Sequence, residues 1–310
     1  METRRIGDHG PEVSFAGLGC NNFGMRLESG PSIDVVHAAL EAGITHFDTA
    51  EMYGGGRSEE FLGQALAGRR DDVVIATKYL PRPADLAYTP GVLRQHILDA
   101  CEGSLTRLGT DHIALYYQHY PDADAPIDEV LETLDELVQQ GKVLHVASSN
   151  VSGPQVFAAD GVARDRGLGR FEVCQFEWNL LQRDAETELA PTCRQHGLGI
   201  VPYFPLASGL LTGKYTKGEG FPADSRFAAN SYFASVATDE NFAKVDWLTG
   251  YAQDHGHTLM ELAVSWLAGQ EGVLSVITGA TKPEQVLANA GAAGWSLTED
   301  DYKAIDAGLS

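Results

Sequence analysis

The sequence predicts an α/β protein of the (β/α)8, or TIM-barrel, class, and three observations carry that prediction. Short apolar runs suited to buried strands begin at Ala16, Thr45, Val73, Ile113, Val143, Phe171, Gly199 and Val273, most of them at the roughly 30-residue spacing of a strand–helix–strand unit. Segments with apolar residues at helical spacing lie between them. Three successive strands end in residues that carry chemistry, Asp48, Lys78 and His119. In a parallel barrel such ends share one face, the face that holds catalysis. A chain of 310 residues suits a single barrel domain over 1–310.

In chain order, Thr3 to Ile6 and Val13 to Phe15 flank the turn cluster Gly7-Asp8-His9-Gly10-Pro11, which predicts an N-terminal β-hairpin placed to plug the barrel floor. Ala16 to Cys20 is the first strand, and Asn21 to Gly24 its loop. Ser32 is placed to cap a helix with Ile33, Val36 and Leu40 on one face, stopped by Gly43. Thr45 to Phe47 is the second strand; Tyr53 follows Asp48 in a loop that runs into Gly54-Gly55-Gly56. Ser58, with Glu59 and Glu60, opens a helix carrying Phe61, Leu62, Ala65 and Leu66. The strand from Val73 closes with Lys78, and a long helix runs from about Thr89 to Leu108. After the strand from Ile113, the clearest helix spans Pro126 to Gln140, with Ile127, Val130, Leu131, Leu134, Leu137 and Val138 at i, i+3 and i+4 and Gly141 beyond its end. Strand seven is followed by a long loop, Ser208 to Phe233, of the length that compact domains use for lids or belts. Helices at Asp239 to His255, Leu259 to Leu267 and from Thr298 complete the chain.

Composition excludes several classes. Hydrophobic residues make up 44% and charged ones 21%, the balance of a soluble globular protein. No signal-type apolar segment opens the chain and no run of about eighteen apolar residues occurs, so the expectation is a cytoplasmic protein without a membrane partner. A formal charge of −21 argues against a nucleic-acid partner, because phosphate contacts need clustered Lys and Arg. Cys20, Cys101, Cys174 and Cys193 lie far apart without a C-x-x-C pair, which fits free buried thiols. Gly17-Leu18-Gly19 begins like a dinucleotide fingerprint but lacks its third glycine, Ser148 and Ser149 stand in no G-x-S-x-G setting, and His255-Gly256-His257 reads as a turn.

The ordered set Phe47-Asp48-Thr49-Ala50-Glu51-Met52-Tyr53, Thr77-Lys78, Gln118-His119-Tyr120-Pro121-Asp122, Ser149-Asn150 and Gly279-Ala280-Thr281 resembles the motifs of the aldo-keto reductase superfamily over nearly the whole chain. The resemblance implies a catalytic tetrad of Asp48, Tyr53, Lys78 and His119. The chemistry is consistent with it. Carbonyl reduction by hydride needs a proton for the forming alkoxide, and a phenol with pKa about 10 is a sluggish donor at neutral pH. A neighbouring ammonium, Lys78, would favour the phenolate of Tyr53, with Asp48 holding that ammonium charged. His119 would position the substrate oxygen.

By the same resemblance Asn21, Ser149, Asn150 and Gln175 would contact the cofactor, the last three at its carboxamide, and Tyr203 would stack on the nicotinamide. Pro205, Leu206, Ser208 and Lys214 would wrap the pyrophosphate, with backbone contacts where Phe204 replaces a common serine. Gly279, Thr281, Lys282, Gln285 and Asn289 would take the adenosine, Gln285 and Asn289 facing adenine. Gly279 and Gln285 stand where many NADPH-specific members carry Lys and Arg, which leaves Lys282 as the cation for a 2′-phosphate. NADP(H) is the expected cofactor, with NAD(H) possible. Phe23, Met52, Tyr79, Tyr120 and Trp178 could wall a pocket for a small-molecule carbonyl or alcohol. Three functions follow: an NADPH-dependent aldehyde or ketone reductase, an oxidative NAD-dependent sugar or alcohol dehydrogenase, and a cofactor-binding regulatory subunit like the potassium-channel β subunits. His119 favours an enzyme, because those β subunits typically carry Asn there.

Overall fold

Strands β1 (Thr3–Arg5) and β2 (Glu12–Ser14) pair antiparallel as the expected hairpin. Then β3 (Ala16–Gly19), β4 (His46–Asp48), β5 (Val74–Tyr79), β6 (Ile113–Gln118), β7 (Val143–Ser149), β8 (Val173–Glu177), β9 (Gly199–Tyr203) and β10 (Val276–Gly279) pair in parallel and close on themselves, β10 completing the ring between β9 and β3. The computed structural model describes residues 1–122, 124–222, 225–229 and 231–310. One helix joins each strand to the next up to β9: α1 (Ser29–Glu41), α2 (Arg57–Ala65), α3 (Val92–Leu108), α4 (Ile127–Gln139), α5 (Gly153–Arg166) and α6 (Leu189–Gln195). Between β9 and β10 lie α7 (Arg226–Ala229), α8 (Ser231–Ala234), α9 (Asp239–Asp254) and α10 (Leu259–Ala268), and α11 (Pro283–Gly291) and α12 (Glu299–Leu309) end the chain.

The core divides as the period of two in a strand dictates. Inward residues Val74, Ala76, Leu115, Tyr117, Ala147, Val173, Val201 and Ile277 pack with Ile6 and Val13 of the hairpin, so the hairpin does stop the floor. Burying such an aliphatic side chain is worth about 1.5–3 kcal/mol, which ties the hairpin to the barrel. Outward residues such as Phe47, Ile75 and Tyr116 pack against the helices.

Four boundary expectations are corrected. Ser32 does not cap α1: the helix starts one turn earlier at Ser29, and buried Ser32 donates back to the Glu28 carbonyl at 2.8 Å. The helix expected to open at Ser58 starts one residue earlier, at Arg57, and the Ser58 hydroxyl is buried between Thr49 Oγ1 and the Cys20 carbonyl, 2.8 and 2.9 Å away. The last strand starts at Val276, because Leu274 N–H still pairs with Ile200 while Val276 N–H turns to Phe15. The Ser208 to Phe233 loop is not structureless: it begins inside a 3-10 turn over Ala207–Thr212 and carries α7 and most of α8, while its Ala223, Asp224 and Asn230 lie outside the described residues.

Candidate active site

Register brings the first two titratable groups together. Asp48 of β4 is level with Ala76 of β5, so Lys78 stands on the same inward face one step nearer the mouth. Its ammonium is fully buried and donates to Asp48 Oδ1 at 2.6 Å and to the Thr49 carbonyl at 2.8 Å. The second oxygen, Asp48 Oδ2, accepts from Gln175 Nε2 at 2.8 Å. A buried ion pair is tolerable only when its remaining donors and acceptors are met, and Gln175 meets one of them.

Tyr53 is held over this pair by a tight turn. Gly54, Gly55 and Gly56 all have positive φ, and a Cβ on Gly54 would lie 2.8 Å from the Phe23 carbonyl, so the turn after Tyr53 needs glycine. Lys78 Nζ lies 5.4 Å from the centre of the Tyr53 ring. Behind the turn, fully buried Glu59 of α2 accepts from Thr77 Oγ1 at 2.5 Å and from Arg107 Nε at 2.6 Å, pinning α2 to β5 and α3. Glu51 accepts the Leu80 N–H at 2.6 Å, and burial pushes its carboxyl upward.

His119 completes the cluster at the end of β6. Its ring is 6.0 Å from Tyr53, edge to face, and stacks on Tyr120 at 4.6 Å. Burial first, and the Lys78 charge second, push its pKa down to about 3. The imidazole is therefore neutral at working pH, a hydrogen-bonding group and not a stored proton. The four tetrad residues expected from the sequence thus converge at one barrel mouth.

Around them, Asn150 Nδ2 donates to the His119 carbonyl at 2.9 Å and to Ser149 Oγ at 3.0 Å, while Tyr203 OH donates to Asn150 Oδ1 at 2.9 Å. Ser149 Oγ donates to the Gln175 carbonyl. Ser149, Asn150, Gln175 and Tyr203 are thus one connected network. Burial raises the Tyr203 phenol, with Glu177 adding to the shift. Farther round the rim, Gln285 Oε1 accepts the Thr281 N–H at 2.7 Å and Asn289 Nδ2 donates to the Gly279 carbonyl. Asn22, which no local pattern in the sequence marks, is buried: it donates to the Ala280 carbonyl at 3.1 Å and ties the first loop to the last.

Two features fit an anionic dinucleotide. Four non-glycine residues have left-handed backbone among the described residues: Asn150, Phe204, Ala207 and Ser208, all at the mouths of β7 and β9. Such positions cost roughly 1–3 kcal/mol each and gather at functional sites; Pro205 and Leu206 lie inside that curled run. Of the seven lysines in the sequence, five pair with carboxylates. Lys214 and Lys282 pair with none among the described residues, in a chain of charge −21. The residues present therefore fit the group.

Of the pocket residues, Met52 and Tyr120 are 46% and 42% exposed at the mouth. Phe23 is buried in the strand–helix layer. Tyr79 and Trp178 are there too, Tyr79 against Tyr116 and Trp178 against Trp266 with its indole N–H on Glu186. Neither reaches the tetrad face. Parity explains Tyr79: next to inward Lys78 it must point outward.

A closed parallel barrel with this cluster at its mouth defines an oxidoreductase architecture, and the comparisons name it: the aldo/keto reductase family model matches residues 17–309, and the chain belongs to that family. Among relatives, a probable voltage-gated potassium channel subunit beta of Arabidopsis thaliana is 37% identical over 301 residues, covering 93% of this chain and 90% of that protein. The aldo-keto reductase YhdN of Bacillus subtilis is 34% identical, covering 99% and 93%. The solved glycerol dehydrogenase of Gluconobacter oxydans superposes with a TM-score of 0.84 at 30% identity, over 99% of this chain and 94% of that one. No helix among the described residues is long and apolar enough to cross a membrane.

Proposed function

We propose that the chain, acting as one cytoplasmic domain, reduces aldehydes or ketones to alcohols with NADPH, with Tyr53 as the general acid. The observation that carries this is the fully buried Lys78 ammonium, locked between Asp48 Oδ1 and the Thr49 carbonyl and facing the Tyr53 ring. When bound, the cofactor supplies the hydride. The chain's residues do the rest. Neutral His119, able only to hydrogen-bond, orients the substrate oxygen. Tyr53 gives its proton to the oxygen as the carbonyl carbon gains the hydride, and the Lys78 charge beside the ring stabilises the phenolate left behind. Tyr120, stacked on His119, shields this exchange from bulk water.

Lys282 and Lys214, the two lysines without carboxylates, support NADP(H) by offering charge to phosphate. Ser149, Asn150, Gln175 and Tyr203 would hold the nicotinamide end. The same residues can run the reaction oxidatively, Tyr53 then accepting the proton. The glycerol dehydrogenase likeness favours that second, oxidative reading; likeness to a channel β subunit favours a regulatory role.

The test pairs fluorescence titration with NADPH and NADH with turnover on a panel of aldehydes. Tyr53→Phe should keep NADPH binding and lose turnover by about 10²–10⁴-fold. A variant that keeps most of its activity refutes the assignment; binding without turnover on any carbonyl or alcohol moves the reading to a regulatory barrel.

A further inference from the structure

Behind the active site, on the outer side of β6 and β7, is a second cavity of about 100 Å3. Its walls come from the strand ends, from Pro121, Asp122 and Ala125 after β6, and from α4 and α5. Most of the lining is aliphatic or aromatic, including Ile127, Val130, Val156 and Phe171. Four polar side chains break it: Gln118, Ser148, Asp122 and Gln155, the first two 4% and 1% exposed. Among the described residues the buried Ser148 hydroxyl has no hydrogen-bond partner except the Cys174 thiol beside it, a poor acceptor. Asp122 is held by Arg82, whose Nη2 donates to Oδ1 at 3.2 Å with Nε 3.1 Å from Oδ2, and the same Nη2 also donates to Asp124 Oδ2 at 3.0 Å.

We infer that this cavity is a binding site for a small neutral organic hydroxyl compound, of about the size of phenol, seated with its apolar body on Val130, Val156 and Phe171 and its hydroxyl on Ser148 Oγ. A charged ligand is disfavoured because Arg82, the cation at the rim, is already shared by Asp122 and the exposed Asp124, which leaves, among the described residues, no free cation for an anion and no unpaired carboxylate in the buried wall for a cation. Size follows from the volume, about two-thirds that of engineered cavities of roughly 150 Å3 that take benzene, which limits the occupant to one small ring. A hydroxyl on the ligand follows from the poorly partnered serine, since a buried polar group left unpaired costs about 1–3 kcal/mol. The site is distinct from the tetrad face, yet back to back with it: Gln118 directly precedes His119, Pro121 follows Tyr120, and Ser148 precedes Ser149 and Asn150 in the strand. An occupant would press on the far side of the strands that set those groups.

The experiment is 19F NMR titration of the full chain with 4-fluorophenol, alone and with saturating NADPH. Saturable binding that persists with NADPH is expected. Ala158→Phe, which adds a ring from the exposed outer edge of the cavity, should abolish it, and Ser148→Ala should weaken it about three- to tenfold; Ser148→Ala stands alone if Ala158→Phe does not fold. No saturable binding at tens of millimolar overturns the inference. So does binding that NADPH displaces, or that both variants leave unchanged, because the phenol would then be elsewhere.

Discussion

Replacing Lys78 by methionine removes one member of an ion pair whose side chains are 0% and 5% exposed. The lysine stem and the methionine are similar in volume, so packing is nearly kept and the change is electrostatic. What remains is the buried Asp48 carboxylate, held by Gln175 at one oxygen and, among the described residues, deprived of its partner at the other. Breaking a buried pair in this way costs about 3–5 kcal/mol, most of it the uncompensated charge. With about 2.1 cal/mol/K of unfolding entropy per residue, the 310 residues give ~0.65 kcal/mol/K, so Tm should fall by about 5–8 °C. Adding Asp48→Asn removes the stranded charge while keeping an acceptor for Gln175 Nε2. The double variant should regain more than half of the loss. Differential scanning calorimetry of wild type, both singles and the double closes the cycle. A double variant as unstable as Lys78→Met would refute the claim that stranded charge sets the cost.

Three further outcomes are expected. His46, fully buried inside the barrel, has its pKa pushed down to about 4 by burial; between pH 6.5 and 4 the unfolded chain binds the proton and the folded one does not, so stability falls with pH over that window by on the order of 3 kcal/mol. His46→Leu should flatten the urea-unfolding profile there, and an unchanged slope would count against it. His119 is neutral above about pH 3, so the kcat profile should show no histidine inflection from pH 5 to 8; an inflection near 6.5 that His119→Gln removes would contradict a buried neutral ring. Lys282→Gln should weaken NADPH about tenfold and NADH hardly at all in fluorescence titration, and equal loss for both would remove Lys282 from the 2′-phosphate.

Much of this was legible in the sequence, for identifiable reasons. The barrel could be read because buried parallel strands leave continuous apolar runs, as at Val74 to Ala76 and Ile113 to Tyr117. That Asp48, Tyr53, Lys78 and His119 would share one mouth could be read because they fall at or just beyond successive strand ends, while the roles expected of them came from the resemblance. What failed depended on direction. Tyr79 and Trp178 adjoin mouth residues in sequence but turn into the helix layer. Ser32 and Ser58 have the composition of helix starts, yet their hydroxyls meet partners distant in sequence or inside the helix. Nor does any local pattern announce that Gln175 reaches across the barrel to Asp48, 127 residues away; only closure of the sheet brings them together.

The stopped floor has a further consequence. With Ile6 and Val13 wedged into one end, the barrel is a cup and not a tube. Everything that reaches Tyr53 enters over the rim and leaves by the same way, so whatever lies deepest is covered by what arrives after it. Met52 and Tyr120 stand at the lip of that single opening, and because Tyr120 also stacks on His119, a change at Tyr120 would be felt below the lip whereas one at Met52 would stay at the entrance.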